Sequence, residues 1–252
     1  MTPPRHQRAI ARKKTEAVLA EHARSFALVV RDATNRIATY TIGDGPAVML
    51  LHGWGGAATD LMPLGGAFAR AGYRAVLFDM PGHGRSSGRE SSLVEFLRAT
   101  RVVASALGAP ELIVGHSFGG AAATFAITEL GLPARGAVLI APAPGPGYYV
   151  ERFTRAVGLP AARVAGMVRR LVQRVGRPIE SLDATVAARD ADVPALIIHD
   201  PNDREVPWRY ASAMADAWRS SRLVPAPSLG HRRILRDPST IAAAIDFASS
   251  LA

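Results

Sequence analysis

The apolar positions of this chain fall into short unbroken runs separated by segments with helical spacing, and that alternation predicts its architecture. Two strand candidates come first, residues 26–31 and 36–42, on either side of the turn-forming stretch Asp32-Ala33-Thr34-Asn35. They predict an antiparallel hairpin. Unbroken apolar runs then recur at residues 47–51, 74–78, 112–114, 137–140, 195–198 and 223–225. Continuous apolar strands alternating with helices predict an α/β fold with a mostly parallel sheet covered on both faces.

The helices between these runs carry their own signals. Ser92-Leu93-Val94-Glu95 is a capping-box sequence, predicting a helix that opens there and ends near Gly108, and residues 238–251 read as a closing helix. The connection between residues 141 and 195 is longer than a crossover requires. Within it Val164, Met167, Val168, Leu171, Val172 and Val175 repeat at i, i+3, i+4 spacing, with Arg163, Arg169, Arg170 and Arg174 on the opposite face. An ordinary amphipathic helix over the sheet would show the same spacing. Ligands of open α/β sheets bind outside the carboxyl ends of the strands, however, and an insertion there favours a small helical cap at about residues 143–190. Its proline-stiffened, aromatic entrance makes Tyr148, Tyr149 and Phe153 candidates for pocket lining.

Composition narrows the picture. With 252 residues and 48% apolar content, the chain can bury one large α/β core, expected over residues 26–252, behind a basic segment at 1–25 that is helical or loose. The absence of cysteine excludes a disulfide framework, a cysteine nucleophile and thiolate metal sites. The first segment carries Arg5, Arg8, Arg12, Lys13, Lys14 and Arg24 without the apolar stretch of a signal peptide, and no run approaches membrane-spanning length. A soluble, cytoplasmic protein without stable membrane insertion is therefore expected. The formal charge of +9 invites a nucleic-acid reading, but 28 of the 30 basic residues are arginines spread along the whole chain, with no nucleic-acid-binding motif among them. A small-molecule substrate is expected instead, with no nucleic-acid partner, and the oligomeric state stays open.

The candidate chemistry centres on Gly115-His116-Ser117-Phe118-Gly119, which follows the apolar run at 112–114 and precedes an alanine-rich helical segment. Strand, tight turn and helix around such a pentapeptide form a nucleophile elbow, in which the turn lifts the serine hydroxyl above the sheet edge. A serine needs an adjacent base, and that base needs an acid to fix its tautomer. His231, in Leu229-Gly230-His231 just past the last strand candidate, is the expected base. The other histidines belong to the basic segment (His6, His22), to glycine-rich turns near the elbow (His52, His83, His116) or to the end of a buried strand (His199). Asp203 is the expected acid, because it lies beyond the strand end where it can reach a neighbouring loop. Asp200, better suited to bonding its own turn, and Glu205 remain alternatives. Backbone N–H groups of Phe118 and of Trp54, the latter within His52-Gly53-Trp54-Gly55-Gly56, are the expected oxyanion donors. No metal or cofactor is called for.

Together these segments resemble the α/β-hydrolase fold superfamily, over essentially residues 26–252. The order nucleophile, acid, histidine is matched by Ser117, Asp203 and His231, the oxyanion turn by residues 52–56, and the loop after the fourth strand by Phe78-Asp79-Met80-Pro81-Gly82-His83-Gly84-Arg85-Ser86. More closely, the chain is similar to generic bacterial alpha/beta hydrolases of serine esterase type with a short cap. The resemblance implies an eight-stranded sheet and a cofactor-free serine hydrolase acting on carboxylic esters of small to medium size. Thioester, lactone or carbon–carbon bond hydrolysis and haloperoxidase-like activity fit the same three residues. Ser117 stands where haloalkane dehalogenases and epoxide hydrolases of this fold carry an aspartate. A noncatalytic binding protein that keeps the fold is the alternative of another class.

Overall fold

The computed structural model describes residues 25–31 and 35–251, so the basic segment up to residue 24 and turn residues 32–34 lie outside the described part. One eight-stranded sheet runs in the order β1-β2-β4-β3-β5-β6-β7-β8. Its strands are β1 (Ser25–Arg31), β2 (Arg36–Ile42), β3 (Ala47–Leu51), β4 (Arg74–Phe78), β5 (Leu112–His116), β6 (Gly136–Ile140), β7 (Ala195–His199) and β8 (Ser221–Pro225). The expected hairpin is present: β1 pairs antiparallel with β2 from Ser25↔Ile42 to Arg31↔Arg36, and β2 pairs antiparallel with β4. All other neighbours are parallel.

Side-chain alternation splits the core into two layers. Met49 and Leu51 of β3 join one buried cluster with Phe96 and Val103 of α2 (Leu93–Leu107) and Phe118 and Phe125 of α3 (Phe118–Thr128). Val48 and Leu50 join the other, with Met62 and Phe68 of α1 (Met62–Arg70) and Ala244 and Ala248 of the C-terminal helix Pro238–Ser249. Helices therefore cover both faces. In α3 every residue from Phe118 to Ile127 is buried, as expected of a helix apolar on all sides.

Local details depart from the sequence expectation. Residues 142–149 are not simply a stiff entrance: Pro146 opens a helix, α4 (Pro146–Val157), where its missing N–H and fixed φ are tolerated, and Tyr148 and Tyr149 stand in that helix's first turn. The predicted apolar stripe forms α5 (Ala161–Val175), but none of its residues is fully buried. Ser92 caps α2 by accepting from the Val94 N–H at 3.2 Å, while Glu95 bonds the Ser92 hydroxyl rather than its backbone, so only half of the expected box forms.

Candidate active site

Ser117 stands between β5 and α3 with φ 55° and ψ −119°, a conformation that costs a non-glycine residue about 1–3 kcal/mol and persists only where the surroundings impose it. They do so here. The Ser117 N–H donates to the Ile140 carbonyl at 3.0 Å, and its own carbonyl accepts from Gly120 at 2.9 Å and Ala143 at 3.0 Å. A side chain at Gly119 would collide with the Leu51 and His52 carbonyls, and one at Gly115 would collide with Gly119 and Gly120. Glycine at both positions allows the helix start to press against the sheet edge.

The three residues predicted from chain order converge at this point. His231, in the short helical turn Gly230–Arg233, sets Nε2 at 2.9 Å from Ser117 Oγ and Nδ1 at 2.7 Å from Asp203 Oδ2. Asp203 Oδ1 accepts from the N–H groups of Glu205 at 2.7 Å and Val206 at 3.0 Å. Burial alone would raise the Asp203 carboxyl, but the His231 hydrogen bond and these two N–H groups outweigh it and hold it below its usual value. Asp203 is thus ionised against the imidazole. Glu205 points elsewhere, pairing with Arg232 at 3.1 Å.

Asp200 does more than bond its own turn. Its Oδ1 accepts from Asn202 N–H at 2.8 Å, while Oδ2 accepts from Gly230 N–H at 2.5 Å, the residue before His231. Burial pushes this carboxyl up, yet the N–H groups of Asn202, Gly230, Ser228 and Leu229 hold it below its usual value. The backbone of the histidine loop is therefore tied to the end of β7. His116 ties it from the other side: Nε2–H donates to the His231 carbonyl at 2.8 Å, and burial lowers its pKa to about 3. His199 donates Nε2–H to the Val206 carbonyl at 2.9 Å, but its buried Nδ1 has no partner among the described residues, so it is only half satisfied. Motif reading left Asp200 and His116 without these roles, because both depend on a loop more than a hundred residues from the elbow or on the far side of β8.

The glycine-rich turn at residues 52–56 is braced by the loop after β4. His83 Nε2 accepts from Gly55 N–H at 3.1 Å while its Nδ1–H donates to the Pro81 carbonyl, and His52 Nε2 accepts from Met80 N–H at 3.0 Å. Buried Asp79 accepts from the N–H groups of Ala58 and Arg85 and from the Tyr40 hydroxyl. With Gly55 N–H taken, the N–H groups of Trp54 and Phe118 are left without an acceptor among the described residues. The Trp54 and Phe118 rings meet edge to face at 5.5 Å.

A cavity of about 450 Å³ opens over Ser117, Trp54, His116 and His231. Of the aromatic candidates at its entrance only Tyr149 lines it; its hydroxyl lies 3.2 Å from Ser117 Oγ, and burial pushes the phenol up to about 12. Tyr148 turns away to donate to the Glu205 carbonyl, and Phe153 is 38% exposed and outside the lining. Arg152, one turn on from Tyr149, lines the cavity instead. Among the described residues no group of three or more His, Cys, Asp or Glu side chains converges as a metal site, and no helix is long and apolar enough to cross a membrane.

This arrangement can deprotonate a hydroxyl, hold a tetrahedral adduct at two N–H groups and return a proton to a leaving group. Known proteins agree with the architecture. The chain is 29% identical over 140 residues to a pimeloyl-(acyl-carrier protein) methyl ester esterase of Shewanella woodyi, covering 56% of this chain and 52% of that protein. It is 28% identical over 162 residues to a monoacylglycerol lipase of Mycolicibacterium smegmatis, covering 61% and 55%. The matches thus span about half the length of these two relatives. Among solved structures, a serine hydrolase involved in carbazole degradation superposes with a TM-score of 0.69 at 19% identity, over 90% of this chain and 100% of that one, which is a likeness of fold. The alpha/beta hydrolase family matches residues 48–244, most of the chain. This protein belongs to the alpha/beta hydrolase family.

Proposed function

We propose that the protein is a serine hydrolase that cleaves carboxylic esters of small to medium size through an acyl-enzyme on Ser117. The observation that carries this reading is the continuous chain of hydrogen bonds from Asp203 through His231 to Ser117 at the floor of the cavity. In it, His231 Nε2 takes the Ser117 proton as Oγ attacks the ester carbonyl carbon. The carbonyl π electrons move to oxygen, where the Trp54 and Phe118 N–H groups donate to the oxyanion. Collapse of the adduct expels the alkoxide, which receives the proton from His231 and leaves as the alcohol. A water then enters, gives its proton to His231, and attacks the acyl carbon. Collapse releases the carboxylic acid and returns the proton to Ser117 Oγ. Asp203 keeps Nδ1 protonated and stabilises the imidazolium formed in both halves.

The test is hydrolysis of p-nitrophenyl esters from acetate to long acyl chains, with Ser117→Ala alongside and covalent labelling by a fluorophosphonate probe. Turnover that vanishes in Ser117→Ala, with labelling of the native chain only, is the expected result, and the chain-length optimum sizes the pocket. Labelling without ester turnover would move the substrate to thioesters, lactones or carbon–carbon bonds on the same residues. A folded native chain that neither labels nor turns over would leave the binding-protein reading in its place.

A further inference from the structure

The cavity above Ser117 is rich in guanidinium groups. Arg152, Arg232, Arg233 and Arg236 line it, against two carboxylates, Asp60 and Glu205. Both carboxylates are engaged: Glu205 with Arg232 at 3.1 Å, and Asp60 with the Ala57 N–H at 3.0 Å. Arg233 is held by the carbonyls of Leu229 and Ser228, each at 3.0 Å, which orient its guanidinium without neutralising it. Arg236 is exposed where it lines the cavity, and its guanidinium has neither a hydrogen bond nor an ion pair among the described residues. Elsewhere three arginines pair with glutamates: Arg155 with Glu151, Arg174 with Glu90 and Arg177 with Glu129.

A concave site with excess charge of one sign and low-dielectric walls focuses its field on the ligand. The guanidinium fork matches the two oxygens of a carboxylate or phosphate, and such charge-assisted pairs are stronger than neutral ones. Arg232 and Arg233 also follow His231 directly in the chain and Arg236 comes three residues later, so the arm that carries the base carries the cations. Resting on the reading of Ser117 as an ester-cleaving nucleophile, we propose that the physiological substrate is an ester bearing an anionic group, a carboxylate or a phosphate, which Arg236 and Arg233 bind at the cavity mouth. Arg236 is then a specificity-determining residue. Arg152 and Arg232 add to the positive field, but their contacts with the Glu205 carbonyl and carboxylate leave them less free to turn toward a ligand.

The experiment compares kcat/KM of the full chain for matched p-nitrophenyl esters whose acyl chain ends in a methyl, a carboxylate or a phosphate group, and for a second set with the carboxylate on the nitrophenol. The expected result is that at least one anionic ester exceeds its neutral match by about tenfold or more, the scale of one charge-assisted contact. That ratio falls by about the same factor in Arg236→Gln and declines as salt is raised. The carboxylate and phosphate arms separate the two anion chemistries. Native ratios at or below unity in every arm, or a ratio unchanged in both Arg236→Gln and Arg233→Gln, overturn the proposal while neutral-ester turnover leaves the hydrolase reading standing. Loss of all ester turnover together with loss of labelling overturns both.

Discussion

The imidazole of His116 donates to the main-chain carbonyl of His231 at 2.8 Å, so the residue next to the candidate nucleophile in sequence holds the backbone of the candidate base in space. Their rings lie 4.8 Å apart. One side of the elbow thereby sets both ends of the Ser117–His231 contact. Truncation to alanine leaves the carbonyl unpaired at a buried site, and about a tenfold loss of kcat is expected for His116→Ala, with most activity retained by His116→Gln, whose amide can donate to the same oxygen. Ester kinetics on the two variants check this, and equal losses in both would show that the ring itself matters rather than its donor.

Buried histidines set the acid sensitivity of the fold. Burial lowers the pKa of His52, His199 and His116, the last to about 3. The unfolded chain binds their protons as pH falls below about 6.5 while the folded chain does not, so stability is complete above that value and is lost progressively as pH drops toward 3. His116 contributes up to about 1.4 kcal/mol per pH unit between about 6.5 and its folded value of about 3, and His52 and His199 act in the same direction. Asp200 and Asp203, whose carboxyls are lowered from 3.8, hold their stabilisation above that value and lose it only as pH falls below it. Denaturant titrations between about pH 6 and 4 should show stability falling, with a shallower slope for His116→Gln. An unchanged slope would exclude His116 as a contributor.

The two aspartates of the acid loop predict separable phenotypes. Asp203→Asn removes the charge facing His231 Nδ1 and should lower kcat by about a thousandfold or more, with a lower melting temperature as the stabilisation held by the ionised carboxylate is lost. Asp200→Asn weakens the ties to Gly230 and Asn202, and should lower the melting temperature while costing kcat about tenfold or less. Kinetics and thermal melts on both variants decide, and a reversed ranking in kcat would transfer the acid role to Asp200.

Gly119→Ala drives a methyl into the Leu51 and His52 carbonyls, so either β3 or the start of α3 must move. A destabilisation of about 1–3 kcal/mol is expected, with kcat lowered at least tenfold because the displaced helix start carries the Phe118 N–H. Gly166→Ala is the control: it lies inside α5 with only the Arg169 side chain near, at 3.8 Å, and should stabilise by about 0.5–1 kcal/mol through helix propensity. Chemical denaturation of both variants reads the contrast.

Ser92→Ala removes the hydroxyl that accepts from Val94 N–H and should cost about 1 kcal/mol. Glu95→Gln should cost less, because Glu95 bonds that hydroxyl rather than an orphan backbone donor. Urea unfolding midpoints distinguish the two, and equal costs would indicate a complete capping box in solution.

Legibility in the sequence followed how local each signal was. Strands β3 and β4 read correctly because both faces are buried and their apolar runs are continuous, whereas Ser221 and Arg222 of β8 escaped notice because an edge strand is only partly covered. The apolar spacing at 164–175 found α5, but the prolines at 142–146 hid α4, since one of them occupies a first helical position that tolerates proline. Phe153 followed Tyr149 by helical spacing yet stays at the surface, where Arg152 takes the cavity side.

Sequence alone determined the α/β architecture and the order of Ser117, Asp203 and His231, because periodicity, glycine positions and motif order are written along the chain. The tertiary structure decided which carboxylate faces His231, that Asp200 and His116 tie down its loop, and that Arg236 lines the same cavity as Ser117. Those relationships join groups from strands far apart in the chain, and only the pairing register of β5, β6, β7 and β8 sets the distances between them.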